Sequence, residues 1–140
     1  MKRSPLKRKT PLKRKSRLRC RSKTNSKPAI DHRRSYRDSH DVCAFTGRRD
    51  VPLDCMHIFP GYIGKLCHHR ANLLVGWRDI HRHQHGERDR RFAPVGTPQL
   101  LAVKRRLGEL DLATLEDISG YTEGWLNEQA RTVLPERFEL

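Results

Sequence analysis

Residues 72–85 read Asn-Leu-Leu-Val-Gly-Trp-Arg-Asp-Ile-His-Arg-His-Gln-His, and this stretch changes character halfway along. Residues 72–77 form a short apolar run of the kind found in buried strands. Residues 78–91 are polar and compatible with a helix, and Asp79 lies near the expected start of that helix, where a carboxylate is favourable. The sequence therefore predicts a strand that passes directly into a helix.

Another strand is predicted upstream, over residues 51–58. Apolar and polar residues alternate there from Val51 to Cys55, which is the period-two pattern of a strand. Before it, residues 43–47 read Cys-Ala-Phe-Thr-Gly and predict a tight turn closed by glycine. After it, the Pro-Gly pair at 60–61 begins a long loop. The middle of the chain is thus predicted as strand, loop, strand, helix.

The flanking segments predict helices. A short helix is expected around residues 31–38, and Thr97 is predicted to cap another, with Pro98 in its first turn. Apolar residues of that second helix fall on one face and predict core packing: Leu100, Val103, Leu107 and Leu110. A short segment over residues 112–118 is stopped by Gly120.

A last helix is predicted after Thr122, which is a suitable capping residue. The apolar residues expected to face the core from this helix are Trp125, Leu126, Ala130 and Val133. The fold class predicted from these elements is α+β, with a central motif over residues 43–91 and a helical extension over residues 97–134.

The positive charge of the chain is concentrated at its N-terminus. The formal net charge is +14, and residues 1–27 hold thirteen Lys or Arg and no Asp or Glu. Residues 28–140 are nearly neutral, with seventeen basic and sixteen acidic groups. We therefore predict a disordered basic arm over residues 1–27, followed by one folded domain over 28–140.

The arm contains a six-residue repeat, Ser-Pro-Leu-Lys-Arg-Lys at 4–9 and Thr-Pro-Leu-Lys-Arg-Lys at 10–15. A period of six fits neither a helix face nor a strand face. The alternative to a binding role is a solubility or localisation tag, but uncompensated cations associate with nucleic-acid phosphates without further design. The repeat residues expected to contact DNA are Lys7, Arg8, Lys9, Lys13, Arg14 and Lys15.

Several other classes of protein are disfavoured by the composition. The sequence has no apolar run of the length needed to span a membrane, and its N-terminus lacks the apolar region of a secretory signal. The four cysteines, Cys20, Cys43, Cys55 and Cys67, form no CxxC pair. We therefore expect a cytoplasmic protein with reduced thiols and no membrane partner.

Six of the eight histidines fall between residues 57 and 85, and their order suggests chemistry. His57 ends the first predicted strand, and Asn72 opens the second. His81 follows nine residues after Asn72, and His85 follows four residues later, on the same face of the predicted helix. Two imidazoles in this relation can bind one divalent cation.

This order resembles the HNH, or ββα-metal, nuclease family, and the helix histidines resemble those of its colicin DNase branch. The resemblance covers about residues 43–91. It implies that His57 is the general base, that Asn72 fixes the loop or the base, and that His81 and His85 hold the metal. It also implies a DNA substrate, with Arg78 and Arg82 contacting flanking phosphates. The metal would be Mg²⁺, Mn²⁺, Ni²⁺ or Zn²⁺, and the residues leave its identity open.

The sequence departs from the family pattern in two places. The family usually has a metal-binding Asp or His directly before the base, where this chain has Met56. Asp54, on the same strand face as Met56, is the expected substitute. Many relatives also bind a structural zinc through two CxxC pairs, and three of those four ligands are missing here. We therefore expect no such zinc, with Trp77 and Ile80 packing in its place.

Two alternatives stay open from the sequence. The first is a degenerate HNH fold that binds nucleic acid without cutting it, which Met56 favours. The second is a non-catalytic zinc protein that uses Cys43, Cys55 and Cys67, with His68 and His69 nearby. The basic arm also resembles that of small phage-encoded HNH proteins, including a recombinase-dependent group. That likeness implies recruitment by a recombination or replication protein in the cytoplasm of a bacterial host.

Overall fold

The computed structural model describes residues 27–59 and 68–135. Its elements are, in chain order, α1 (Lys27–Asp38), β1 (Leu53–His57), β2 (Leu73–Trp77), α2 (Arg78–Gln84), α3 (Thr97–Arg106), α4 (Leu112–Ser119) and α5 (Glu123–Gln129). This mixture of helices and a two-stranded antiparallel sheet confirms the predicted α+β class. The repeat residues predicted to contact DNA lie outside the described residues.

The sheet sorts its side chains onto two sides. β1 and β2 pair antiparallel, with Leu53 opposite Trp77 and His57 opposite Leu73. Because successive strand residues point to opposite faces, Cys55 shares a face with His57, whereas Met56 shares the other with Asp54. Met56 is fully buried in the main core, and Cys55 packs against a smaller cluster beneath α1.

The predicted strands were one to three residues too long. β1 begins at Leu53 rather than residue 51, because Pro52 has no amide hydrogen to donate to a ladder. Asn72 does not open β2, because it ends a short 3-10 turn over Arg70–Asn72. The strand therefore begins one residue later, at Leu73.

The prediction of a helix over residues 78–91 was wrong at its end. α2 stops at Gln84, and His85 is its C-terminal cap. Gly86 follows with φ of 97°, a left-handed conformation that ends helices and favours glycine. His81 lies one turn into the helix as expected.

Differences in the other helices have similar local causes. α1 begins at Lys27, four residues before the predicted start. Gly96 rather than Thr97 caps α3, and the Gln99 side chain accepts a hydrogen bond from the Gly96 amide at 2.9 Å. Leu107 is 42% exposed instead of buried, because α3 ends at Arg106.

The last two helices follow the prediction closely. Gly120, with φ of 75°, ends α4, and the Thr122 side chain accepts a hydrogen bond from the Trp125 amide at 3.3 Å. Val133 was wrongly placed in the core, because it follows α5 and is 89% exposed. None of the described helices has the length and apolarity needed to cross a bilayer.

A buried lysine joins α1, the sheet and α3. Lys104 on α3 is 1% exposed, and its Nζ donates to the carbonyls of Leu73 (2.9 Å) and Arg70 (3.1 Å). The same nitrogen lies 2.9 Å from the Tyr36 hydroxyl on α1 and 2.7 Å from the Glu109 carboxylate, so its three hydrogens are shared among four acceptors. Although burial alone would raise it, these bonds and one from His40 hold the pKa of Glu109 at about 2. The ammonium is therefore fully paired in a site without water contact.

Removing this charge should destabilise the domain strongly. Lys104→Met leaves two carbonyls without their donor and takes from the Glu109 carboxylate the cation that balances its charge, so we expect a loss of about 3–5 kcal/mol in the free energy of unfolding, measured by urea denaturation. Lys104→Met combined with Glu109→Gln should lose less than the sum of the single variants, because the uncompensated carboxylate is gone. Additive losses would contradict a coupled pair.

Gly76 should tolerate no side chain. A Cβ there would overlap the Met56 sulfur and approach Phe45 Cε2 to 3.2 Å. Gly76→Ala is therefore expected to cost about 1–3 kcal/mol in the free energy of unfolding. Gly124→Ala is the control, because nothing lies within 4 Å of its Cβ position in α5. Equal stability of the two variants would show that the core yields without cost.

Candidate functional site

His57 lies at the end of β1, where the sheet meets α2. Its carbonyl accepts a hydrogen bond from Gln84 Nε2 at 3.0 Å, which ties the last turn of α2 to the end of the strand. Its Nε2 lies 3.3 Å from Nδ1 of His68, and the two rings meet edge to face. No hydrogen bond to His57 Nδ1 is formed by the residues that the structure describes. Among the described residues, Nε2 of His57 thus has a hydrogen-bonding partner and Nδ1 has none.

Asn72 fixes the chain just beyond His57. Its side chain is fully buried, and Oδ1 accepts from the Phe59 amide at 2.8 Å. Its Nδ2 donates to the Phe59 carbonyl at 3.1 Å, and its backbone carbonyl accepts from the Ile58 amide at 2.9 Å. The carboxamide therefore acts like one more rung of the ladder after β1 has ended. This places Asn72 as a support for the chain that carries His57.

The two predicted helix histidines face each other. Nε2 of His81 and Nε2 of His85 are 3.0 Å apart, and the ring centroids are 4.8 Å apart. On the other edge of the His81 ring, Nδ1 lies 3.4 Å from Asp54 Oδ2. Asp54, expected as a metal ligand, thus contacts the far nitrogen of His81 rather than the side that His85 faces.

The spacing of the two Nε2 atoms fits a shared cation. Adjacent ligands on one metal ion, with metal–nitrogen bonds of about 2.0–2.1 Å, lie roughly 3 Å apart. An Asp54 carboxylate that accepts the His81 Nδ1 hydrogen leaves the lone pair on Nε2, as metal-binding imidazoles require. No group of three or more His, Cys, Asp or Glu side chains is arranged to hold a metal within residues 27–59 and 68–135. The described chain would therefore supply two nitrogen ligands.

The predicted phosphate contacts on α2 differ in their surroundings. Arg78 Nε donates to both oxygens of Asp54, at 3.1 and 3.3 Å, so its charge is already engaged. Arg82 is exposed. His83, the third histidine of the helix, accepts or donates locally, with Nδ1 at 3.0 Å from the Glu87 carbonyl. Arg82 is thus the freer of the two predicted cations.

The sequence analysis missed the contribution of α1. Three arginines of this helix, Arg33, Arg34 and Arg37, line an open groove of about 250 Å³ together with Asp54 and His81. A polar groove of about 470 Å³ lies on the opposite side of the helix, and its walls include His68 and Arg70. The sequence did contain a signal for this groove. Residues 33 and 37 are four apart, and residues four apart lie on the same face of a helix, with residue 34 beside them.

The environment keeps His57 neutral. Burial lowers the pKa of His57 to about 4, and electrostatic effects of His68, of Arg33 and, more weakly, of the two α2 histidines act in the same direction. Burial also lowers the pKa of His81, against the opposing effect of its Asp54 bond. Both imidazoles can therefore offer a lone pair at neutral pH.

The two cysteines in the described part of the chain, Cys43 and Cys55, lie on opposite sides of the sheet. Cys43 is buried in the main core, and its Sγ accepts a hydrogen bond from the Trp77 amide at 3.3 Å. Trp77 and Ile80 pack in the same core, as predicted. Cys55 lies on the other side of the sheet against the Tyr36 cluster, and burial raises its pKa to about 11. A site shared by Cys43 and Cys55 would have to form across the sheet.

Gln84 of α2 thus bonds to the His57 carbonyl, and the opposed His81 and His85 lie near enough to lower the pKa of His57 electrostatically, while Asn72 braces the chain just after His57. Three α1 arginines border the same region. No protein-family model, curated protein or solved structure matches this chain.

The lowered pKa of His57 predicts acid sensitivity. Unfolded His57 binds a proton below about pH 6.5, whereas folded His57 does so only near pH 4. The contribution of neutral His57 to the free energy of unfolding is therefore fully present above pH 6.5, and it is lost as the pH drops toward 4. Between pH 7 and pH 4, the free energy of unfolding of His57→Gln should fall by about 2 kcal/mol less than that of wild type, after allowance for solvent screening.

The measurement is urea denaturation at both pH values. His32→Gln, at an exposed position on α1, is the control and should follow wild type. Identical acid responses of wild type and His57→Gln would contradict a buried neutral imidazole.

Proposed function

We propose that this chain is a metal-dependent endonuclease of the HNH type that hydrolyses DNA phosphodiester bonds. The observation that carries the proposal is the opposed pair of His81 and His85 nitrogens on a helix that directly follows the second strand, next to His57 on the first. This is the geometry of a cation site beside a neutral imidazole.

His57 is the proposed general base. If its Nε2 hydrogen is donated to His68 Nδ1, the lone pair of His57 lies on Nδ1. Nδ1 then accepts a proton from a water molecule as the water oxygen bonds to phosphorus. The phosphorus–oxygen bond to the leaving nucleotide breaks, and the leaving oxygen takes a proton from solvent. A pKa of about 4 keeps this nitrogen available at pH 7, and a bound phosphate anion would raise its basicity.

His81 and His85 are the proposed metal ligands, and Asp54 orients the first of them. A divalent cation bound there supplies stabilisation of the negative charge that develops on the phosphate oxygens. The Asp54 carboxylate holds His81 in the tautomer with a free Nε2, and Arg78 in turn holds Asp54. Water and phosphate oxygens would complete the coordination.

Asn72 and Gln84 are the proposed positioning residues. Each binds backbone at the end of β1, so neither needs to touch the substrate. Together they hold the His57 backbone against α2 and keep the base at a constant distance from the metal ligands. General-base catalysis depends on such placement, since small displacements of the reacting atoms cost large factors in rate.

DNA is the proposed substrate because of the charge distribution. Twelve basic residues precede the first helix, and they would bind the phosphate backbone without sequence preference. Arg82 is exposed on the helix that carries the metal ligands. Cutting would therefore depend on DNA shape or on a recruiting recombination or replication protein rather than on base recognition.

One observation favours a second candidate, a nucleic-acid-binding protein without catalysis. Met56 stands where the family has a metal ligand, and its side chain is fully buried in the core. A thioether is also a poor ligand for a hard cation such as Mg²⁺. The chain would then have one ligand fewer than the HNH nucleases it resembles, and metal affinity decides between cutting and binding.

The test is nicking of supercoiled plasmid with Mg²⁺, Mn²⁺, Ni²⁺ or Zn²⁺. His57→Ala should lower the rate by a factor of about 10²–10⁴, the usual value of general-base catalysis, while DNA affinity stays within about twofold. His81→Ala and His85→Ala should abolish the response to metal. His83→Ala, the matched histidine of the same helix, should cut like wild type.

Two results would count against the proposal. Wild-type protein that binds DNA but does not nick it with any of these metals would favour the binding protein. Nicking that survives both His81→Ala and His57→Ala would place the chemistry elsewhere.

A further inference from the structure

The α1 groove is lined by more basic than acidic side chains. Arg33, Arg34 and Arg37 line it, and Asp54 is its acidic side chain. Asp54 is already bonded to Arg78 and His81. Arg37 has a loose pair with Asp38 at 3.4 Å, and both side chains are largely exposed. The groove therefore presents excess positive charge beside His81.

α1 has an anchor that involves neither Arg34 nor Arg37. The helix is anchored by Tyr36, which packs on Leu73 and Val75 and accepts a hydrogen bond from the buried Lys104. A purely structural role for Arg34 and Arg37 would require carboxylate partners across the groove, and the one ion pair of Arg37 is with its neighbour Asp38 on α1. Arg34 forms no ion pair with any residue in the described ranges, and Asp54 is shared with two other groups.

The chemistry of the groove suits a phosphodiester backbone rather than a base. Its lining offers guanidinium donors, which bind phosphate oxygens in a bidentate manner. The two less polar residues in it, Ile30 and Cys55, give no aromatic face for a base to stack on. Because His81 lines this groove, a phosphate bound there would lie next to the scissile phosphate, on which the histidines are proposed to act.

We propose that Arg33, Arg34 and Arg37 form a subsite for the DNA phosphate adjacent to the scissile one, on the strand that is cut. This inference rests on the proposed nuclease function and deepens it, because it assigns the grip on the cleaved strand to α1. The basic arm directly precedes α1 in the sequence and so would deliver DNA to the same groove. The arm supplies affinity, and the subsite sets the position of the strand.

The subsite can be tested by binding that needs no cutting. The probe is a fluorescein-labelled 20-base-pair DNA duplex in EDTA, with anisotropy followed over a salt titration of the full-length chain. Arg34→Gln/Arg37→Gln should reduce the slope of log affinity against log salt by about 2, because two phosphate contacts are lost. Arg105→Gln/Arg131→Gln removes the same charge from exposed positions elsewhere and should leave the slope unchanged.

A second variant separates charge from geometry. Arg34→Lys/Arg37→Lys should keep the slope, because each lysine still neutralises a phosphate. Its plasmid nicking should nevertheless fall about tenfold, because an ammonium cannot bind a phosphate in a bidentate manner.

Failure of the subsite and failure of the nuclease are distinguishable. A reduced slope in Arg34→Gln/Arg37→Gln without nicking by wild type would keep the phosphate site and overturn the nuclease. Equal slopes for Arg34→Gln/Arg37→Gln and Arg105→Gln/Arg131→Gln would overturn the subsite, whether or not wild type cuts.

Discussion

The arrangement depends on one buried ammonium. Lys104 reaches from α3 to the first carbonyl of β2 and to Tyr36 of α1, with Glu109 balancing its charge. A two-stranded sheet is marginal by itself and needs packing on both faces. The main core covers the Met56 side, whereas the His57 side is covered chiefly by α1. Without the Lys104 bonds, the helix that borders the histidines would lose its polar anchor.

This anchoring explains how a small domain can surround imidazoles with cations and still keep them neutral. α1 packs on the sheet face that carries His57, and burial is the main reason for the low pKa of this imidazole. The same helix brings arginines to the rim. Burial and positive charge both disfavour protonation, so the two effects add. An incoming phosphate would reverse the second effect, and the base would become stronger only when substrate is present.

Sequence reasoning found the elements because their signals are local. The alternation before His57, the apolar run after Asn72 and the capping residue Thr122 each specify their own segment. The errors have local causes too: Pro52 shortens β1, and the left-handed Gly86 ends α2 before residue 91. The features that the sequence did not predict are set by packing between segments that lie far apart in the chain. Lys104 reads as a surface residue in any window, and nothing near it indicates that it meets Tyr36, 68 positions away. The α1 groove was missed for the same reason.

Asn72 has a consequence for how the motif could vary. By pairing with both backbone groups of Phe59, its carboxamide closes the sheet immediately after His57. The position of the His57 imidazole in the sheet is therefore fixed and does not depend on how many residues follow. Insertions or deletions between Phe59 and the 3-10 turn would change the length of a connection without moving the base relative to α2. Such a fixed point would let the same imidazole be combined with connections of different length.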